Sequence, residues 1–211
     1  MRLYLASTSP ARLATLRAAG IEPIAISPGV DETAAVEAAE REHGPLDAPA
    51  MVQLLAQAKA EAVVGTEVAG EPIDGLILGG DSAFVLDGVI YGKPHTPERA
   101  RERWLAQRGR SGELHSGHWL IDHRGGSARH AVGASSRATV HFASPSEHEI
   151  DAYIATGEPL EVAGAFTIDA RGGAFIRSIE GDPHTVVGLS LPLLRELAGE
   201  LGVEWPELWN R

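Results

Sequence analysis

The sequence predicts an α/β fold with a mixed sheet and flanking helices. Three observations carry that expectation. Short apolar runs, closed by glycine, proline or polar turns, alternate with segments whose apolar residues recur at helical spacing. No segment repeats, and no Pro/Gly/Ser-rich linker interrupts the alternation. At 211 residues, 44% of them hydrophobic, the chain can bury one sizeable core or two small lobes. We read one α/β unit, two-lobed at most, without a separable domain.

Taken in order, Leu3 to Ala6 reads as a short buried strand. A helix follows, in which Ser9 suits the N-cap, Pro10 the first helical position and Gly20 the stop, with Leu13, Leu16 and Ala19 as the apolar stripe. Ile21 to Ile26 is a second strand. Asp31-Glu32 leads into an Ala- and Glu-rich segment to Glu42, a solvated helix. Ala50 to Val64 is a stronger helix, with Leu54, Leu55 and Ala58 at helical spacing. A loop from Gly65 to Asp74 precedes Leu76-Ile77-Leu78, a buried strand that ends at Gly79-Gly80-Asp81.

Ala83 to Leu86 and Val89 to Tyr91 form a hairpin, because Asp87-Gly88 suits a two-residue type I′ turn. Thr96 to Gln107 is a helix with Pro97 in its first turn. Glu113 to Asp122 and Ser136 to Phe142 are long strands joined around Arg124-Gly125-Gly126. Ser146 to Ala155 is a helix, and Leu189 to Leu201 is the last, stopping at Gly202.

Composition removes several function classes. No cysteine is present, which excludes disulfides, thiol catalysis and Cys-ligated zinc, and fits a cytoplasmic setting. No stretch approaches 18 uninterrupted apolar residues, so no membrane span is expected, and Met1 to Ala6 reads as a strand rather than a secretory signal. Acidic residues number 29 against 18 basic ones, a net charge of −11, which disfavours duplex nucleic acid. A small anionic ligand remains open if the few cations gather in one place. Sixteen of those cations are Arg and only Lys59 and Lys93 are Lys. A chain that uses Arg wherever either cation serves keeps Lys where a compact point charge is needed, or keeps two by chance.

Candidate chemistry starts at Ser7-x-Ser9-x-x-Arg12. A helix N-terminus with hydroxyls and one Arg suits phosphate, and it equally describes a capped helix with a surface Arg. Asp81 follows two glycines at a strand end, where ligand chemistry collects in open α/β sheets; it can hold Mg²⁺, deprotonate a water, or sit in an ordinary turn. Asp31-Glu32 is a helix-start charge pair or a weak metal site. His115 and His118 fall on opposite faces of a strand, so they share no metal, and Trp205 and Trp209 read as packing residues.

Together these pieces resemble the Maf family, associated with inhibition of septum formation and with nucleoside triphosphate pyrophosphatase activity. The similarity runs through Leu5-Ala6-Ser7-Thr8-Ser9-Pro10-Ala11-Arg12, Asp31-Glu32, Ala58-Lys59-Ala60, Gly80-Asp81-Ser82 and Gly92-Lys93-Pro94. It continues through Gly109-Arg110-Ser111-Gly112 with His115, Gly157-Glu158-Pro159, Ala163-Gly164-Ala165-Phe166 and Val186-Val187-Gly188-Leu189. No single motif is specific; their order over the whole chain is.

The resemblance implies a two-lobed fold related to inosine triphosphate pyrophosphatases, with residues 1–211 forming one domain around a central nucleotide-binding cleft. It implies hydrolysis of a nucleoside triphosphate to the monophosphate and pyrophosphate with a divalent metal, Mg²⁺ or Mn²⁺, in a house-cleaning role. Asp81 matches the catalytic base and metal-site carboxylate, and Glu32 an acidic residue near the metal. Ser7, Ser9, Arg12, Lys59 and Lys93 match triphosphate-binding positions. The implied partner is the nucleotide, with a homodimer left open. The alternative is a nucleotide-binding regulator of cell division whose hydrolysis is incidental or absent.

Departures from the family pattern fall at specificity positions. Ala11 stands where many members have a second basic residue, Ser82 where Thr is frequent, and Thr167 where a glycine follows the aromatic. Asp169 corresponds to a position that carries an amide in pyrimidine-preferring relatives. A carboxylate only accepts hydrogen bonds and cannot match the acceptor-rich edge of uracil or thymine. A guanine-type or modified nucleotide is therefore expected ahead of UTP and dTTP; the alternative is that Asp169 points to solvent and selectivity is loose.

Overall fold

A computed structural model describes residues 1–210. Its chain divides into two compact units. The first comprises Met1–Asp81, Ser116–Ser136 and the chain from Gly188 onward; the second comprises Ser82–His115 and Arg137–Val187. Three long strands, β5 (Leu76–Leu86), β7 (Ser111–Asp122) and β8 (His130–Phe142), lend residues to both.

In the first unit β1 (Leu3–Ala6) pairs in parallel with both β2 (Ile24–Ile26) and β5, with Leu3 opposite Leu76 and Leu5 opposite Leu78. The strand order is β2-β1-β5-β7-β8. Successive strand residues point to opposite faces. Leu3, Leu5, Leu76, Leu78 and Leu120 enter one core with Leu16 of α1 (Pro10–Ala18) and Leu194 and Leu197 of α7 (Leu191–Glu200). Tyr4, Ala6, Ile77 and Ile121 enter a second core with Ala60 of α3 (Ala48–Glu61) and Val63. Both faces are covered, so these strands read as unbroken apolar runs rather than alternating ones. Leu5 and Leu78 are closed to water, and truncating either to Ala would cost about 2–5 kcal/mol.

Glycine decides how closely α3 approaches this sheet. A Cβ at Gly79 would lie 2.0 Å from the Ala56 carbonyl, and one at Gly117 would lie 2.2 Å from the Val52 carbonyl. Helix backbone therefore rests directly on β5 and β7, a contact that any side chain would lift. By contrast α2 (Glu32–His43) buries no residue, as its Ala- and Glu-rich sequence led us to expect.

In the second unit β5 turns into β6 (Val89–Tyr91) through Asp87 and Gly88, both at positive φ (52° and 77°), the type I′ geometry expected of Asp-Gly. β8 pairs antiparallel with β9 (Ile176–Glu180). The core is aromatic: Phe84, Trp104, Tyr153, Phe142 and Phe166 meet edge to face with centroids 5.0–5.7 Å apart. Trp104, on α4 (Pro97–Gln107), also donates from Nε1 to the Ala165 carbonyl at 2.7 Å. Tyr153 lies on α5 (Glu147–Ala155), and α6 (Pro183–Val187) completes the helices of this unit. Among the described residues no helix is long and apolar enough to cross a membrane.

Several sequence expectations need correction. The buried strand does not stop at Gly79-Gly80-Asp81; β5 runs unbroken to Leu86, with neither glycine at positive φ. The glycines serve close packing and not a turn. The loop from Gly65 to Asp74 contains a small hairpin, β3 (Glu67–Val68) and β4 (Glu71–Pro72). β8 begins at His130 rather than Ser136, and β2 is shorter than Ile21 to Ile26 because Ile21 is spent in the core under α1. β9 was not anticipated, since Ile176-Arg177-Ser178-Ile179-Glu180 alternates too briefly to stand out. Trp205 packs on the first core, whereas Trp209 is half exposed.

Candidate active site

The first unit gathers six of the sequence-predicted residues. At the end of β1 the chain enters α1 through Ser9, whose side chain accepts from the Arg12 N–H at 3.4 Å as an N-cap. Ser7 Oγ accepts from the Ser9 N–H and from an Arg12 guanidinium nitrogen, each at 3.2 Å. Arg12 Nε donates to the Gly188 carbonyl at 2.8 Å. Arg12 is therefore buried and fixed, and is no surface cation on a capped helix. Gly80 leaves room for it: a Cβ there would lie 3.2 Å from Arg12 Nε.

Lys59 lies on the last turn of α3, and the packing of that helix at Gly79 brings it beside Asp81, two residues further along the same face of β5. Its ammonium stands 2.7 Å from Asp81 Oδ1 and 2.8 Å from Glu32 Oε1. Glu32 is the first residue of α2, whose N-cap, Asp31, accepts from the Ala34 N–H. Acidic residues favour that first turn, which places Glu32 there independently of any ligand. Lys59 and Asp81 are nearly closed to solvent, whereas Glu32 is half exposed.

The electrostatics are those of a poised carboxylate. Burial pushes the Asp81 carboxyl above the ordinary Asp value, against the charges of Lys59 and Arg12 that pull it down. Burial likewise lowers the Arg12 guanidinium, opposed by Asp81 and Glu32. Lys59, Arg12 and Glu32 thus act on one strand residue whose proton affinity is raised, the direction that makes a carboxylate a better proton acceptor. Asp81 and Glu32 converge on one point, the Lys59 ammonium. Two carboxylates fit Mg²⁺ or Mn²⁺, which take one or two protein oxygens and fill the rest of their shell with phosphate and water. Among the described residues no group of three or more His, Asp or Glu forms a closed metal cage.

Ala11 is half-buried on α1 beside Arg12. Ser82, Lys93 and Asp169 belong to the second unit. Lys93 is exposed in the coil after β6, and Asp169 is exposed between two 3₁₀ turns. That segment is held by Glu158, which accepts from Thr167 Oγ1 at 2.6 Å, the Gly172 N–H at 2.9 Å, Tyr153 OH at 3.1 Å and the Arg171 N–H at 3.2 Å. Burial would raise Glu158, but these donors win and hold it below the usual range. Neither the Glu158 hub nor the Gly188 carbonyl was singled out as functional from sequence. Both sit in motifs noted there, but a backbone acceptor carries no residue-type signal.

The sequence matches the family described as Maf-like protein over residues 2–201. The chain belongs to the Maf family. A relative from Leifsonia xyli, named nucleoside triphosphate pyrophosphatase, is 71% identical over 211 residues, covering 100% of this chain and 98% of that protein. Relatives of the same name from Nocardia farcinica and Saccharopolyspora erythraea are each 50% identical, covering 99% and 100% of this chain and 96% and 98% of those proteins. In this member of the Maf family Arg12 and Lys59 act on the same carboxylate, Asp81, and Ala11 lies beside Arg12 on α1.

Proposed function

We propose that this chain hydrolyses a nucleoside triphosphate between the α and β phosphates, releasing the monophosphate and pyrophosphate. The observation that carries the reading is the Lys59–Asp81 pair, 2.7 Å apart and nearly closed to water, with buried Arg12 acting on the same carboxylate. A protein that only bound a triphosphate has no need of a carboxylate base. A hydrolase needs one to take a proton from water.

In this reading Arg12, Ser7, Ser9 and the N–H groups at the start of α1 hold phosphate oxygens, with the helix dipole assisting. Asp81 orients the attacking water and accepts its proton as oxygen bonds to the α phosphorus. The α–β bridging bond breaks, and the electron pair leaves with pyrophosphate. Lys59 keeps Asp81 ionised before attack and neutralises charge on the phosphates during it. Lys93, from its Gly92-Lys93-Pro94 motif, is a further cation for the phosphates. Asp81 and Glu32 would hold the divalent ion, which when bound supplies charge neutralisation at the phosphates. Asp169 selects the base, with Ala11 and Ser82 as the other specificity positions, and the setting is the cytoplasm, where triphosphates are made and used.

Incubating the protein with ordinary and modified triphosphates, and measuring pyrophosphate and orthophosphate separately, tests the reading. Pyrophosphate in equal amount to monophosphate is expected. Orthophosphate as the sole inorganic product would overturn it.

A further inference from the structure

A backbone carbonyl aims the Arg12 guanidinium, and the turn that presents this carbonyl is itself tied down. Gly188, which accepts from Arg12 Nε at 2.8 Å, sits at φ 109°, a conformation that favours glycine. Two residues later the Ser190 N–H donates to His118 Nε2 at 2.9 Å. His118 Nδ1 stands 3.1 Å from the Ser116 carbonyl. A carbonyl only accepts, so Nδ1 carries the proton and Nε2 offers its lone pair to Ser190. The imidazole is fully buried, and Ser190 is almost so.

The strand that carries His118 is held in turn. Gln53 Nε2 on α3 donates to the His118 carbonyl at 3.0 Å, and Gly117 lets the backbone of α3 rest on β7. Ser190 then caps α7 by accepting from the Leu193 N–H at 3.3 Å. An apolar residue at position 118 would leave the Ser190 N–H buried without this acceptor. The turn would rearrange to satisfy it, and the Gly188 carbonyl would move with the turn.

We propose that His118 is a positioning residue for phosphate binding: it fixes the turn from Gly188 to Ser190, whose carbonyl orients Arg12. This inference rests on the reading of Arg12 as a phosphate ligand. The competing role is that of a satisfied core histidine that contributes stability alone. A double-mutant cycle separates the two, because residues acting through one another are not additive.

The experiment measures kcat/KM for nucleotide hydrolysis in His118→Leu, His118→Gln, Arg12→Met and the His118→Leu/Arg12→Met pair. His118→Leu should lose about 10-fold when Arg12 is present and less than about 2-fold in the Arg12→Met background. His118→Gln, whose amide oxygen reaches the place of Nε2, should stay within about 3-fold of the parent. Equal losses in both backgrounds, or no rescue by Gln, would overturn the proposal. Unchanged kinetics in Arg12→Met alone would instead overturn the reading of Arg12. Should the Leu variant fail to fold, His118→Asn, whose shorter amide cannot reach the Ser190 N–H, takes its place in the same cycle: a loss confined to the Arg12 background supports the proposal, and equal losses in both backgrounds refute it.

Discussion

The Lys59 ammonium stands 2.7 Å from Asp81 Oδ1, on a helix that reaches the strand only because residue 79 has no side chain. The same ammonium touches Glu32 at 2.8 Å, so one compact charge joins two carboxylates from different elements. A guanidinium is larger and planar, and its fork does not fit between two oxygens that meet at a point. Lys59→Arg should therefore lose more than about 10-fold in kcat/KM, roughly 1.4 kcal/mol of transition-state stabilisation. Steady-state kinetics on the purified variant check this, and parental values would show that charge alone suffices.

Glu32 is the more exposed of the two carboxylates and lies at a helix start. If it shares a divalent ion with Asp81, Glu32→Gln should raise the Mg²⁺ or Mn²⁺ concentration needed for half-maximal rate while leaving the fold intact, because α2 buries nothing. A metal titration at saturating nucleotide measures it. Full activity in excess chelator would remove the metal from the account.

Asp169 is exposed in a segment anchored by Glu158. If Asp169 faces the base, its accepting-only carboxylate disfavours the uracil edge, and Asp169→Gln should raise kcat/KM for UTP relative to GTP and 7-methyl-GTP. The ratio of the three is the readout. An unchanged ratio would remove Asp169 from base recognition.

Acid should weaken the first unit through Asp122. Its carboxylate receives Arg124 Nε and Nη2, each at 2.8 Å, and the Arg124 N–H at 3.1 Å. The side-chain bonds from Arg124 hold it down at about 2. The folded value lies below the unfolded one of roughly 3.9, so this stabilisation is complete above pH about 4 and is lost as pH falls toward 2. Asp122→Asn should lower the melting temperature at neutral pH and flatten its decline over that acid range. A variant with the parental profile would show that the pair contributes nothing.

Much of this was legible in the sequence for identifiable physical reasons. Ser9, Pro10 and Gly20 marked α1 because each has a distinct backbone or capping role at a helix end. The lysines were conspicuous because the chain otherwise uses arginine. Gly79 and Gly80 misled, since glycines that admit a neighbouring helix or arginine look the same as glycines that make a turn. Arg12 was ambiguous because its burial depends on Gly188, 176 residues away, and a carbonyl partner leaves no trace in residue type. His118 was set aside as a metal ligand on strand alternation, but its hydrogen bond to Ser190 is a tertiary fact that no local pattern encodes.

The central claim is that Asp81 is the base, and Asp81→Asn tests it most directly. The amide keeps the shape and can still accept from Lys59, but it cannot take a proton from water. The measurement pairs the rate of pyrophosphate release with the nucleotide dissociation constant. The account predicts a rate at least ~10²-fold lower while nucleotide binding persists, since the phosphate-holding groups of α1 and Lys59 are untouched. Pyrophosphate release at the parental rate would contradict it.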